Sequence, residues 1–218
     1  MLVLASASPR RQELLRNAGI AFAVHPTNIP ELPQPGESGR DCAERLARQK
    51  ALTAFHNRPD DFVLGADTVV IVDDEILGKP RDEADAMRML RLLSGRTHHV
   101  TTGVCLIGPP LRTGSNKPGS NKPESTKLRT GFEDTRSETT LVTMCALTDE
   151  DIRSYIATGE PMDKAGAYAI QGVASRWIPR IEGDYFNVVG LPVSLVYQML
   201  REHGLGREAG RKDGSESS

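Results

Sequence analysis

Hydrophobic positions along the chain fall into short apolar runs separated by amphipathic stretches. Residues 2–5 are apolar without a break and read as a first strand. Ser8 then offers an N-cap and Pro9 a proline at the first helical position, so residues 10–18 are expected to be helical until Gly19 stops them. A second helix over 38–56 gathers Cys42, Ala43, Leu46, Ala47, Ala51, Ala54 and Phe55 on one broad face. Residues 62–65 and 68–72 read as strands, and Asp73-Asp74 turns the chain into a short strand ending near Leu77. Ala86, Met89, Leu90 and Leu93 recur at helical spacing, which predicts a third helix over 82–93 closed by Gly95. Residues 99–107 and 139–147 read as two partnered strands. Thr148 caps a fourth helix over 149–157, with Asp151 placed for a capping box. Residues 168–170 and 177–181 are strand-like, and Pro192 opens a last helix to about Glu202. Strands and helices alternate throughout, which predicts an α/β fold.

One stretch breaks the pattern. Gly, Pro, Ser, Thr and Asn make up 19 of the 32 residues from 109 to 140, including the near-repeat GSNKPGSNKPEST. Such a segment has too little apolar surface to offset its ordering entropy and is expected to be a disordered insert. The tail over 206–218 is expected to behave likewise. That leaves one domain over 1–205.

Charge narrows the function classes. The chain has 27 Lys and Arg against 29 Asp and Glu, a net charge of −2, which excludes a generally basic nucleic-acid binder. No run reaches the roughly 18 apolar residues of a membrane span, so no membrane partner is expected. Cys42, Cys105 and Cys145 lack the paired spacings of a disulfide framework or zinc site. A cytoplasmic, reduced protein is the expectation.

Several positions can carry chemistry. Ser6, Ser8, Arg10 and Arg11 lie where a strand turns into a helix N-terminus, whose free N–H groups and dipole favour anions. The same residues also suit an ordinary capped helix with solvated arginines. Lys50 lies on the apolar face of its helix, where it either snorkels to water or lines a site. Asp67, in GADTVV, joins two apolar runs; it could hold a metal, orient a water or simply accept turn hydrogen bonds. Lys79 precedes Pro80 and is thereby held extended. The glycine-punctuated block 163–172 would let a backbone approach a ligand, and its Gln171 could read a base edge. The block 183–192 is a further candidate, where Gly190 and Pro192 mark a turn into the last helix. His98 and His99, adjacent on a strand, should face opposite ways and not share a metal.

Six blocks, in order, span nearly all of residues 2–202: LASASPRRQELL, RLARQKA, VLGADTVV, GKPRDEADAMRMLRLLSGRTHHVTTGV, LTDEDIRSYIATGEPMDKAGAYAIQG and IEGDYFNVVGLP. Together they resemble the Maf family of nucleoside triphosphate pyrophosphatases. The resemblance implies a long mixed β-sheet with flanking helices and two lobes around a cleft, similar to the inosine-triphosphate pyrophosphatase class. It implies hydrolysis of a nucleoside triphosphate to monophosphate and pyrophosphate, with a divalent cation, Mg2+ or Mn2+, as cofactor. Asp67 matches the family's proton acceptor. Arg10, Arg11, Lys50 and Lys79 match its phosphate-binding basic residues, Ser8 lies beside them, and Glu31 matches an acidic residue that would share the metal with Asp67. Arg10, Thr68 and Gln171 match specificity positions of the branch acting on dTTP and UTP, whereas the methylated-GTP branch looks like P-Y-R and D-Q at the first two. In the implied mechanism, a water positioned by Asp67 attacks the α-phosphorus in line; whether Asp67 takes its proton or chiefly holds metal stays open. Family members are often dimers. The family is also associated with inhibition of septum formation, which leaves a regulatory, partner-binding role and a nucleotide-binding module without turnover as alternatives.

Overall fold

A computed structural model describes residues 1–109 and 131–205. Among these residues, seven strands form one mixed sheet: β1 (Leu2–Leu4), β2 (Ala23–Val24), β3 (Phe62–Val72), β4 (Glu75–Leu77), β5 (Thr97–Gly108), β6 (Phe132–Thr143) and β7 (Arg180–Glu182). Six α-helices accompany them: α1 (Pro9–Asn17), α2 (Gly39–Asn57), α3 (Glu83–Leu93), α4 (Asp149–Ile156), α5 (Tyr185–Val189) and α6 (Val193–Glu202). The α/β expectation therefore holds as a mixed sheet with helices on both faces.

The sheet runs β2-β1-β3-β5-β6-β7, with β4 also on β3. Strands β1 and β2 pair in parallel, as do β1 and β3; all other pairings are antiparallel. The central strand β3 has two unlike edges. Its pairing with β5 runs unbroken from Val63↔Ile107 to Ile71↔His99. Its other edge is shared by two short strands. β1 covers Phe62 to Leu64, and β4 covers Val70 to Val72. Between them lies a notch in the sheet at residues 65–69, and Asp67 sits at its centre.

Period-two alternation assigns the two faces of β3. Gly65 and Asp67 face α2. A Cβ on Gly65 would lie 2.2 Å from the Ala47 carbonyl oxygen, and one on Gly103, on the neighbouring strand β5, 2.4 Å from the Ala43 backbone. The two glycines thus let α2 lie directly on the sheet, an approach that any side chain would block. Thr68 points to the opposite face, toward α1, α5 and α6.

The core is divided around the notch. Above it, Leu4, Leu15, Leu64, Leu106, Leu191 and Met199 form one cluster; below it, Leu77, Leu90, Leu93, Tyr155, Trp177 and Ile152 form another. Burial on this scale, roughly 1.5–3 kcal/mol per large side chain, fixes both ends of β3 and leaves the middle for polar groups.

Several sequence expectations need correction. Residues 62–65 and 68–72 belong to one strand, because pairing with β5 continues straight through Ala66 and Asp67. The insert expected over 109–140 is shorter at its far end, since Phe132–Thr143 is a strand whose partner β5 satisfies its backbone; residues 110–130 and the 206–218 tail lie outside the described residues. Residues 168–170 are not a strand. Gly166 and Ala167 both have positive φ and turn the chain, and the Ala169 N–H donates to the Tyr155 hydroxyl instead of a ladder. The expected 177–181 strand is confined to Arg180–Glu182. The two-residue β2 and the five-residue α5 have no counterpart among the sequence expectations. The Thr148–Asp151 capping box is present as predicted, and His98 is buried while His99 is exposed.

Candidate active site

A cavity of about 830 Å³ opens at the notch in β3. Its wall includes Ser8, Arg10, Arg11, Glu31, Lys50, Asp67, Thr68, Lys79 and Gln171. Every candidate site residue of the sequence is thus brought to one place, although these positions span more than 160 residues of chain.

On the α2 face the site is ionic. Lys50, buried on α2, donates from Nζ to Asp67 Oδ1 at 2.6 Å and to Glu31 Oε1 at 2.5 Å. Lys79 donates to the other Glu31 oxygen, Oε2, at 2.7 Å. The order Asp67–Lys50–Glu31–Lys79 is therefore a chain of alternating charges. Lys50 does not snorkel: its partners lie inside the cavity, and burial is tolerated because both are carboxylates. Burial works to raise the pKa of Glu31, but the hydrogen bonds from Lys50 and Lys79 outweigh it and hold the carboxyl at about 2.

On the opposite face the site is neutral apart from one arginine. Arg11 is buried and its guanidinium reaches three oxygens: Nε donates to the Gly190 carbonyl at 2.7 Å, and the terminal nitrogens donate to Ser6 Oγ at 3.2 Å and Thr68 Oγ1 at 3.0 Å. Thr68 Oγ1 lies 2.9 Å from Thr102 Oγ1, whose hydroxyl donates to the Asn187 carbonyl. The Asn187 amide in turn donates to the Val100 carbonyl and Thr140 Oγ1. Burial pushes the Arg11 pKa below its ordinary value, while the Asp67 and Glu31 charges act the other way.

The remaining residues lie at the rim. Ser8 is the N-cap of α1 and accepts from the Arg11 N–H at 3.5 Å. Arg10 is 3.8 Å from Asp163, across the cleft. Gln171 is exposed in the cavity wall. From the 183–192 block that the sequence singles out, Gly190 and Asn187 join this network, whereas Thr102 has no counterpart among the sequence candidates. Gly190 reads locally as a turn, but the role of its carbonyl depends on a contact 179 positions away.

Among the described residues, no three His, Cys, Asp or Glu side chains converge as a self-sufficient metal cage. The donor set is instead two carboxylates, Asp67 and Glu31, already drawn to one shared cationic group. That fits a hard cation such as Mg2+, which is commonly held by one or two carboxylates with phosphate and water oxygens completing the shell.

The chain is similar to known proteins along most of its described length. A family model described as Maf-like protein matches residues 1–203. A dTTP/UTP pyrophosphatase of Koribacter versatilis is 53% identical over 204 residues, covering 94% of this chain and 95% of that protein. One from Geobacter sulfurreducens is 47% identical over 203 residues, covering 93% and 96%. Among solved structures, a nucleoside-triphosphatase / dITP/XTP pyrophosphatase from Mycobacterium abscessus is similar with a TM-score of 0.37 and 15% identity, covering 67% of this chain and 75% of that one. The Ham1 protein of Staphylococcus aureus has a TM-score of 0.37 and 12% identity, covering 66% and 71%.

Proposed function

The chain belongs to the Maf-like family, and from that premise we propose that it hydrolyses dTTP and UTP to the monophosphate and pyrophosphate. Modified pyrimidine triphosphates are natural further substrates, and the role is house-cleaning of nucleotide pools. The observation that carries the reading is the charge chain Asp67–Lys50–Glu31–Lys79 lining a cavity large enough for a nucleotide.

Lys50 orients Asp67 through Oδ1, which supports Asp67 as the group that positions the attacking water and accepts its proton. Lys50, Lys79 and Arg10 neutralise the triphosphate and the leaving pyrophosphate. Arg11 holds Thr68 in place, and Thr68 with Gln171 meets the nucleobase or sugar. Asp67 and Glu31 would hold a divalent cation, which supplies charge withdrawal from the phosphate oxygens when bound.

The test is pyrophosphate release from a panel of triphosphates with Mg2+ or Mn2+. Turnover of dTTP and UTP, reduced about 10³-fold or more in a folded Asp67→Asn protein, is expected. Preference for methylated GTP would overturn the substrate reading. Binding without release, or Asp67→Asn with full activity, would overturn the catalytic one.

A further inference from the structure

Lys164 stands outside the charge chain, yet its geometry is that of a site residue. Its side chain is only 14% exposed, in the cavity wall opposite α1. The turn that presents it is fixed to the segment carrying Lys79: the Gly166 N–H donates to the Gly78 carbonyl at 3.0 Å. Gly166 has φ of 68°, and a Cβ there would press on Val70 at 2.9 Å, so the turn is held by both conformation and packing. Lys164 Nζ donates to the Glu160 carbonyl at 3.3 Å and to Asp163 Oδ1. The same Asp163 carboxylate lies 3.8 Å from Arg10 on the other side of the cleft. Asp163 itself is 70% exposed. A single, solvent-washed carboxylate therefore joins two cations from opposite walls. An exposed acid contributes little to such a pairing and is readily replaced by a more highly charged anion.

We propose that Lys164 is a phosphate-binding residue of the active site, and that the Asp163 carboxylate competes with substrate phosphate for Lys164 and Arg10. The inference rests on the pyrophosphatase reading for its substrate, but not on turnover. A phosphate oxygen takes the position between the two cations, and Asp163 swings into solvent. The cleft walls are thereby joined through the substrate instead of through a side chain.

The test is calorimetric binding of inorganic pyrophosphate, alongside KM and kcat for dTTP, in Lys164→Met, Lys164→Arg and Asp163→Asn. Lys164→Met is expected to weaken pyrophosphate binding and raise KM about tenfold, with kcat changed less, and Lys164→Arg to restore most of the affinity. Asp163→Asn is expected to tighten pyrophosphate binding about two- to fivefold, as removal of a competing anion should. Unchanged pyrophosphate affinity in folded Lys164→Met would overturn the proposal. If that variant does not fold, unchanged or weaker binding in Asp163→Asn would do so. A wild-type protein that binds pyrophosphate but turns over no triphosphate would sink the enzymatic reading alone, leaving the affinities to decide the role of Lys164.

Discussion

Asp67 and Thr68 are neighbours on one strand, but they belong to two differently built faces. On the α2 face, two carboxylates alternate with two lysines. On the other, the buried Arg11 is met by hydroxyls and a carbonyl, all neutral oxygens. The first arrangement balances its charges internally and holds those of Lys50, Glu31 and Lys79 on long side chains. The second leaves a positive charge in a rigid fork beside the cavity. One face is suited to shifting charge during a reaction, the other to holding a threonine and a turn in register while attracting an anion.

The contrast can be broken most forcefully at Lys50. Lys50→Met leaves Asp67 buried and Glu31 half-paired, and is expected to cost about 4 kcal/mol of stability, measured by urea unfolding near pH 7. The part of that loss that belongs to Glu31 should shrink as pH falls toward 2 and its carboxyl is protonated. If stability is unchanged, the ionic face does not depend on Lys50.

A pH titration compares the faces directly. His98, on the Thr68 side of β5, is fully buried against the Tyr168 hydroxyl at 2.8 Å. Burial, with a smaller effect of His99, lowers its pKa from 6.5 to about 4. The unfolded chain thus binds a proton first, so stability is complete above about 6.5 and falls as pH drops toward 4, by about 3 kcal/mol in total. Glu31 behaves differently: its pairing stabilises fully above its ordinary value of 4.5 and is lost only as pH falls toward 2. The neutral face should weaken first. His98→Phe should flatten the profile between pH 6.5 and 4 and leave the lower limb in place.

A smaller effect sharpens the role of Arg11. Arg11→Lys keeps the charge but cannot span Gly190, Ser6 and Thr68 together, and should cost about 2 kcal/mol. Its discrimination between dTTP and other triphosphates should change more than its rate on dTTP; unaltered discrimination would detach Arg11 from Thr68. The smallest effect is expected at the exposed Lys79, where Lys79→Gln should change stability by less than about 1 kcal/mol and act mainly on KM.

The longer helices are legible in the sequence because their apolar faces are broad: α2 and α3 bury the very positions that helical spacing picks out. The candidate site is proposed through a resemblance distributed over six blocks, whose matched residues the fold gathers around one cavity. Local reasoning alone leaves Lys50 open between snorkelling and a site, since its two partners come from a loop and a different strand. The Arg11–Gly190 bond is invisible for the same reason, as no local pattern encodes a contact across 179 positions. Helix α5 escapes because five residues cannot display a helical period; its one local signal is Asp184, which caps it by accepting from the Phe186 N–H.

The notch in β3 constrains how this site can vary. Ala5 donates its N–H to the Leu64 carbonyl, so the main-chain groups of Leu64 point to the β1 edge. Two-residue alternation then directs the amide and carbonyl groups of Ala66 and Thr68 to that same edge, where neither β1 nor β4 reaches. Thr68 lines the cavity, so peptide groups border it there, and substitution does not delete them. Exchange of the Thr68 side chain would leave those backbone dipoles where they are. The same interruption is too short to accept a strand from another molecule, which removes the usual aggregation hazard of an open sheet edge.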